Sequence, residues 1–386
     1  MKWIKEFIVF GKNNLNKKNK MNISFVLAVY NKLDLTKECY KHLRKVYPKS
    51  PLVISSGGSS DGTKEWLESL KDENLSFFHD DDRLTFSETY NAGIDLVDTE
   101  KLVLIHNDMV IGKHFLENLD RLIDENPNTL LSYTTIEPPI FAGHQRPGKV
   151  ILDMGTGFDN FNKKMFDKYV KQNKDKCELY DGAVFFMSGR KDMFVDLGGF
   201  DGFSFVPCFC EDDDFLIRAK LKGYILKTTE CAITYHFVSQ TSRFSDEMKD
   251  KRQNIEIFSN RNFVRKWGIP ISTFNQVNYQ QTEYFTYKNL NMGLTINDDS
   301  NLVLLEPFFN KINLGTSPQD YIDAEQPTTR YNLKSKFENY DDVDVMVKLT
   351  SDLTQEDFNN IIVLKMIIQE YEPGMYSIGN LSVEIK

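Results

Sequence analysis

Short apolar runs alternate with amphipathic stretches along the first third of the chain. The run from 23 to 29 is rich in branched apolar residues, which is typical of a strand buried on both faces of a sheet. Apolar residues then recur at helical spacing from Leu35 to Val46, with Asp34 as the predicted cap of that helix. The same two patterns repeat three times, predicting strands at 52–54, 75–78 and 102–105 and helices at 66–70, 86–97 and 115–122. These alternations predict an α/β fold with a mostly parallel sheet flanked by helices.

Polar clusters follow three of the four predicted strands. They are Val29-Tyr30-Asn31 after the first strand, the turn from Ser55 to Gly62 after the second, and His106-Asn107-Asp108 after the fourth. Ligands of parallel α/β sheets bind beyond the carboxyl ends of the strands. We therefore expect the three clusters to meet at one edge of the sheet and to form the ligand site.

The rest of the chain divides into a less regular stretch and a separate C-terminal region. Prolines and glycines between 130 and 180 predict long loops over the site. A strand-like run at 183–187 then precedes a helix at 213–222 that stops at Gly223. After residue 270 acidic residues outnumber basic ones, and a strand at 343–349 and a helix at 357–368 are predicted. We divide the chain into an N-terminal segment, 1–20, a main domain, 21–270, and a small α+β accessory region, 271–386.

Charge, cysteine content and hydropathy exclude several classes of function. The chain has 386 residues and a net charge of −9, which is the wrong sign for a general nucleic-acid binder. Its five cysteines are an odd number and do not suggest a disulfide framework, so we expect a reducing, cytoplasmic location. No apolar run reaches the ~18 residues needed to cross a membrane. The first 20 residues mix apolar residues with lysines, which indicates either a basic amphipathic helix in peripheral contact with a membrane or a packed or frayed segment.

Acidic or imidazole groups at three places in the chain could carry chemistry. Asp108 follows a buried strand, where its carboxylate could bind Mg²⁺ or Mn²⁺ or cap the next helix. The four acids from Glu211 to Asp214 suit the positive end of a helix, but adjacent carboxylates repel each other, so we expect at least one to have a function. His236 is either a core residue or, if Asp108 binds a metal, a second ligand, because Mn²⁺ accepts imidazole.

The turn from Ser55 to Thr63 is rich in glycine and hydroxyl groups. It contains neither the lysine of a phosphate-binding loop nor the glycine spacing of a dinucleotide-binding turn. Two interpretations stay open: a flexible loop in which Asp61 or Thr63 caps the next helix, or a contact with a nucleotide at the sheet edge.

Taken in chain order, these motifs resemble the family 2 glycosyltransferases, which have the Rossmann-like GT-A fold. The resemblance covers about residues 21 to 268 and rests on motifs spread along this range. They are Val26–Asn31, Gly58–Thr63, Asn91-Ala92-Gly93, His106-Asn107-Asp108, Gly182-Ala183, Gly198–Asp201, Glu211-Asp212, Asp214, Arg218, Gly223, His236 and Lys266-Trp267-Gly268.

The resemblance implies a role for each site residue. Asp212 would be the catalytic base, with Glu211 beside it contacting the acceptor or supporting the loop. Asp108 and His236 would hold Mn²⁺ or Mg²⁺ near the diphosphate. The reaction would invert the anomeric centre in one displacement. The residues that would contact the donor are Ala28, Tyr30, Asn31, Ser56, Gly58, Asp61, Asn91, Asn107 and Gly182.

Two departures from the family pattern leave the donor open. The metal motif reads His-Asn-Asp where the family often has further acids, and Ser56 stands where an aspartate commonly holds uracil. UDP-, GDP- and TDP-sugars are therefore all candidate donors, with a glycan or glycoconjugate as acceptor, as in polysaccharide biosynthesis. Two other functions remain. One is a sugar-phosphate nucleotidyltransferase, but such enzymes usually have a basic glycine-rich N-terminal loop, and Tyr30-Asn31-Lys32 is a poor match for it. The other is a catalytically degenerate glycan-binding module.

Overall fold

The computed structural model describes residues 21–139, 148–238, 250–271, 290–340 and 342–386. The segment 1–20, with its predicted membrane contact, lies outside the described residues. Two compact units are present: the first contains the described residues up to 202 and from 211 to 252, and the second contains 203–210 and those from 253 onward. The predicted domain boundary near residue 270 stays a prediction.

The first strand and helix pairs form where the apolar pattern predicts them. α1 follows Lys32, whose backbone is left-handed, so the predicted cap Asp34 lies inside the first turn instead. The elements are β1 (Ile23–Val29), α1 (Leu33–Val46), β2 (Leu52–Gly57), α2 (Thr63–Ser69), β3 (Leu75–Asp80), α3 (Phe86–Asp95), β4 (Lys101–Ile105), β5 (Met109–Ile111) and α4 (Phe115–Glu125).

The prediction of loops between 130 and 180 is wrong at its start, where the buried strand β6 (Thr129–Glu137) runs. Its serine and threonine residues conceal it in the sequence, but two of their hydroxyls bind backbone carbonyls that are distant in the chain. Ser132 donates to the carbonyl of Val184, and Thr134 donates to that of Thr229. The predicted strand at 183–187 begins only at Met187. The further elements are β7 (Lys149–Ile151), α5 (Lys163–Asn173), β8 (Leu179–Asp181), β9 (Met187–Arg190), α6 (Lys191–Asp196), α7 (Glu211–Leu221), β10 (Ile225–His236) and α8 (Arg252–Trp267).

These strands form one ten-stranded sheet with the main order β3-β2-β1-β4-β9-β6-β10-β5, while β7 and β8 join β6 and β10. β1 to β4 are parallel neighbours, and β6 is parallel to β10. β9 runs antiparallel between β4 and β6, and β5 runs antiparallel to the end of β10. The predicted α/β fold with a mostly parallel sheet flanked by helices is confirmed.

The second unit has a smaller sheet of its own. Its elements are β11 (Met292–Ile296), α9 (Leu302–Leu305), β12 (Lys311–Leu314), α10 (Gln319–Glu325), β13 (Val345–Leu349), α11 (Gln355–Ile367), β14 (Gly374–Ile378) and β15 (Leu381–Ile385), with 3-10 turns at Glu306–Phe308, Gln326–Thr328, Lys334–Phe337 and Ile368–Glu370. The strand order is β12-β11-β13-β15-β14, which confirms the predicted α+β region. Alternate apolar residues of β11 and β13 belong to one hydrophobic core together with residues of α11.

A cluster of charged side chains is buried in this second unit around Glu306. Its carboxylate lies 2.7 Å from Nη2 of Arg265 and 2.6 Å from Nζ of Lys336, and it accepts a hydrogen bond from Tyr321 at 2.9 Å. Burial alone would raise the pKa of Glu306, but Lys336 and Arg265 outweigh it and lower the pKa to about 2. Glu325 contacts Arg265 as well, so the cluster satisfies its charges internally.

One disulfide, Cys177–Cys231, is present, with the two Cα atoms 4.9 Å apart. The cysteine count did not predict it, because Cys177 follows α5 while Cys231 lies in β10, and their separation of 54 residues carries no spacing signal. None of the helices among the described residues combines the length and the apolar content that a membrane crossing requires.

Candidate active site

The three polar clusters leave the first sheet at one edge, as their positions after parallel strands predicted. β1 lies between β2 and β4, with Val29 opposite Ser56 and Leu27 opposite Ile105. The residues that follow these three strand ends therefore share the edge where ligands of parallel sheets bind.

Two histidines and one aspartate meet at this edge. His106 and Asp108 follow β4, and β5 then pairs with the end of β10, which sets His236 opposite Met109. Oδ1 of Asp108 lies 3.3 Å from Nε2 of His236 and 4.0 Å from Nδ1 of His106. One ligand atom from each of the three residues lies within 4.8 Å of the others. The structure thus brings the predicted ligands Asp108 and His236 together.

His106 is a further candidate ligand that the sequence analysis missed. A signal for it was available, because His106 lies only two residues before Asp108 in the same polar cluster after β4. Imidazole nitrogens and a carboxylate oxygen are suitable donors for a divalent transition-metal ion. The donor set therefore fits the metal that the family resemblance implies.

The electrostatic surroundings of His236 also suit a cation. Burial lowers the pKa of His236, but the carboxylates of Asp108 and Glu137 outweigh burial and raise it to about 9. The imidazole therefore carries a second proton at neutral pH in the metal-free protein. A cation bound at Nε2 would replace that proton, because histidine binds metals in its neutral form.

Glu137 and Lys149 lie behind His236, and neither was predicted. Oε1 of Glu137 lies 3.2 Å from Nδ1 of His236, and Oε2 lies 3.5 Å from Nζ of Lys149. The Lys149 and Glu137 side chains are only 5% and 6% exposed. Glu137 ends β6, so the interpretation of this segment as a loop concealed it.

The predicted donor contacts around the first turn are tied to each other. The backbone amide of Asn31 donates to Oγ of Ser59, and Oδ1 of Asn31 accepts from the amide of Ser60. Asp61 accepts from the amide of Leu33 and from Oγ1 of Thr63. These bonds hold the turn against the start of α1. The cap of α2 is Gly62, with no side-chain hydrogen bond, so the expectation that Asp61 or Thr63 caps this helix is wrong. The contact of Asp61 with a donor stays a prediction.

The other residues of this edge have equally defined places. The guanidinium of Arg83 lies over the ring of Tyr30, with Cζ 3.2 Å from its centroid. Ser56 is buried and donates to Oγ of Ser59. Gly58 has a φ of 79°, and a Cβ atom there would lie 2.6 Å from Cα of Arg83, so the turn requires glycine. Ala28 is half-buried in β1, opposite Ser55 of β2.

Three predicted donor residues make hydrogen bonds within the protein. The side chain of Asn91 both donates to and accepts from the backbone of Phe200, each at 2.8 Å. Nδ2 of Asn107 donates to Oγ1 of Thr36, and the carbonyl of Gly182 accepts from Oγ1 of Thr228. These bonds give each of the three residues a structural role in the fold. Their contacts with a donor stay predictions.

The four acids at the start of α7 separate into two pairs. Glu211 and Asp214 are buried, whereas Asp212 and Asp213 are half-buried. Asp214 accepts from Nε of Arg218 at 2.9 Å, and Nη2 of Arg218 donates to the carbonyl of Gly199. Asp214 therefore fastens α7 to the turn before it. The roles of Asp212 as base and Glu211 beside it stay predictions.

Comparison with known proteins gives one family match. Residues 24–198 match the model described as Glycosyl transferase family 2. No curated protein matches the chain significantly.

Several solved structures are similar to this chain at low identity. The mannosyltransferase PcManGT from Pyrobaculum calidifontis, solved with GDP-Man and Mn²⁺, is 15% identical with a TM-score of 0.44, over 69% of this chain and 70% of that one. GalNAc-T7, solved with UDP, GalNAc and Mn²⁺, is 11% identical with a TM-score of 0.44, over 69% and 55%. S. aureus TarS 1–349 is 12% identical with a TM-score of 0.43, over 95% and 97%.

Proposed function

We propose that this chain, whose residues 24–198 match the model described as Glycosyl transferase family 2, moves a sugar from a nucleoside-diphosphate sugar to an acceptor hydroxyl with inversion. The acceptor is a glycan or glycoconjugate. The observation that supports this most is the convergence of His106, Asp108 and His236 at the edge where the polar clusters of β1, β2 and β4 lie.

Each site residue has a definite task in this proposal. A divalent cation, when bound, would stabilise the charge that develops on the leaving diphosphate. Asp108, His106 and His236 would hold it. Asp212 takes the proton of the acceptor hydroxyl, and Glu211 supports the acceptor side of the site. The nucleotide lies along the edge formed by Ala28, Tyr30 and the turn after Ser56.

The donor set favours Mn²⁺ over Mg²⁺. Two of the three converging side chains, His106 and His236, offer imidazole nitrogen. Mg²⁺ binds almost exclusively to oxygen and dehydrates reluctantly, whereas Mn²⁺ accepts imidazole as well as carboxylate. We propose Mn²⁺ as the working ion, with a tighter dissociation constant than Mg²⁺.

A thermal-shift screen of nucleoside diphosphates and their sugars, with and without Mn²⁺, tests the function. A ligand that binds the folded state raises its melting temperature by mass action, so the true donor should stabilise the protein only when Mn²⁺ is present. Slow, chelator-sensitive hydrolysis of that nucleotide sugar would exclude a degenerate glycan-binding module. Release of pyrophosphate from a nucleoside triphosphate and a sugar phosphate would instead identify a nucleotidyltransferase.

A matched pair of variants at the start of α7 tests the base. Asp212→Asn should lower turnover by about 10²–10⁴-fold, because no carboxylate then takes the acceptor proton, while the dissociation constant of the donor stays unchanged. Asp213→Asn changes a neighbouring half-buried acid on the same turn and should retain turnover. Equal losses in both variants would contradict the assignment of Asp212.

A further inference from the structure

Glu137 and Lys149 form a buried layer behind the candidate metal ligands. We propose that Glu137 is a positioning residue that directs Nε2 of His236 toward the cation, and that Lys149 holds the carboxylate of Glu137 in place for this task. The inference rests on the proposed function only in that it assumes a divalent cation between His106, Asp108 and His236.

Backbone pairing brings these residues together from three separate strands. β6 and β10 are parallel, with Ile136 opposite Tyr235, so Glu137 and His236 are the next residues of the two strands. β7 pairs with β6 on its other side, where Lys149 lies opposite Thr135. Since strand pairing determines all three positions, the side chains meet without depending on a flexible loop.

The contact between Glu137 and His236 determines which imidazole nitrogen can bind a metal. An ionised carboxylate only accepts hydrogen bonds, so Nδ1 of His236, 3.2 Å from Oε1, must carry a proton. The other nitrogen, Nε2, faces Asp108 at 3.3 Å and keeps its lone pair for a cation once its own proton has left. A carboxylate behind a metal-binding histidine orients the ring in this way and makes it a stronger ligand.

Lys149 holds the carboxylate of Glu137 from the side opposite to His236. Its Nζ lies 3.5 Å from Oε2, and the side chains of Lys149 and Glu137 are only 5% and 6% exposed. The other oxygen, Oε1, lies 3.2 Å from Nδ1 of His236. Because each oxygen of Glu137 has a separate partner, the carboxylate is kept in its orientation toward the imidazole. Without Lys149 its orientation would be less restricted and its contact with Nδ1 weaker.

The alternative is that Glu137 and Lys149 are only a structural ion pair. The two roles predict different changes in metal affinity, so stability alone cannot separate them. Asp214 provides a matched control, because it is also a buried carboxylate paired with a cation in the same unit, yet it is bonded to Arg218 and the Gly199 turn rather than to a histidine.

Calorimetric titration of MnCl₂ into the metal-stripped full-length protein is the test. Glu137→Gln keeps the size of the side chain but removes its charge, and we expect the dissociation constant for Mn²⁺ to rise about 10-fold. Lys149→Met should raise it less. Asp214→Asn should leave it unchanged even though it lowers the melting temperature. The melting temperature of each metal-free variant is recorded alongside, so that loss of fold is measured separately.

A second pair of variants covers the case in which a single change unfolds the protein. Glu137→Leu leaves Lys149 buried without a carboxylate, whereas Glu137→Leu combined with Lys149→Met removes both charges. If the double variant folds, it should bind Mn²⁺ at least about 10-fold more weakly than the wild type.

The outcomes separate this inference from the proposed function. If the wild type does not bind Mn²⁺, the metal site of the proposed function fails. If the wild type binds Mn²⁺ and Glu137→Gln binds it equally well, the positioning role of Glu137 is overturned while the metal site stands.

Discussion

Each of the two units buries a cluster of charged side chains, and the two clusters are built differently. In the second unit Glu306 is fully buried between Arg265 and Lys336, and Arg265 extends to Glu325. Every acid there faces a base, so opposite charges satisfy each other within the protein. Such a network links elements of the fold and leaves no common point for a ligand.

The cluster of the first unit brings together three groups that could hold one metal ion between them. His106, Asp108 and His236 place one ligand atom each within 4.8 Å of the others, and Asp108 and Glu137 both act on one imidazole. Among the described residues, these three form the group of three or more histidine, cysteine or acidic side chains that lie close enough together to hold one metal ion. Burial of charged side chains alone therefore does not indicate a metal site, whereas several metal-ligating atoms close to one another indicate a candidate.

The largest effect should come from breaking the second cluster. Glu306→Ala leaves Arg265, which is 1% exposed, and Lys336 without their shared carboxylate. Removing one partner of a buried ion pair costs about 3–5 kcal/mol, because the remaining charge stays desolvated. Urea unfolding should show this loss, while the dissociation constant for Mn²⁺ stays that of the wild type.

Glu338→Gln is the control for this change. Glu338 lies in the same unit and pairs with Lys334 at 4.0 Å, but both side chains are more than half exposed. Its loss should lower the free energy of unfolding by less than about 1 kcal/mol. A Glu306→Ala variant that unfolds like this control, or that loses Mn²⁺ affinity, would remove the distinction between the clusters.

A smaller effect should appear in the pH dependence of metal binding. The pKa of His236 in the metal-free protein is raised from 6.5 to about 9, so Mn²⁺ must displace a proton below that value. Its affinity should rise about tenfold, or about 1.4 kcal/mol, for each pH unit between about pH 6 and pH 8. Calorimetric titrations at these pH values measure the slope, and His236→Ala should abolish it.

The free energy of unfolding of the metal-free protein should depend on pH in opposite directions through His236 and Glu306. The contribution of His236 is fully present below pH 6.5 and is lost as the pH rises through about 9, because its folded-state pKa is raised. Glu306 behaves in the opposite way, since its pKa is lowered from 4.5 to about 2: its contribution is present above pH 4.5 and is lost as the pH falls through about 2. A metal-free unfolding profile without a decline toward pH 9 would contradict the buried charge on His236.

The sequence predicted well those parts of the fold that depend on local apolar pattern. The predicted strand at 23–29 has the same bounds as β1. The meeting of the polar clusters at one edge of the sheet follows from the parallel pairing of β1 with β2 and β4. The strand β6 was missed because Ser132 and Thr134 are polar, although the hydroxyl of each donates to a backbone carbonyl, of Val184 and Thr229. Hydrophobic pattern cannot detect a buried strand whose hydroxyls find partners far away in the chain.

The site was predicted only in part, because some of its residues carry no signal in the local sequence. Asp108 and His236 were found through the order of motifs in a family, while His106 lay within a quoted motif and was overlooked. Glu137 and Lys149 carry no local signal, because only the pairing of β6 with β10 and β7 brings them behind His236. The disulfide Cys177–Cys231 was missed for the same lack of a local signal.

The smallest effect should come from Asp61, an exposed acid that belongs to neither cluster. Its two oxygens accept from the amide of Leu33 at 2.8 Å and from Oγ1 of Thr63 at 2.6 Å. Asp61→Ala should lower the free energy of unfolding by about 1 kcal/mol, because water can replace these bonds at an exposed turn, and Asp61→Asn should retain part of them. Denaturant unfolding measures the loss, and donor titration tests the predicted nucleotide contact separately. If Asp61 contacts the donor, the dissociation constant should rise about tenfold in Asp61→Ala, about 1.4 kcal/mol, whereas an unchanged value would leave Asp61 with its role in the turn alone.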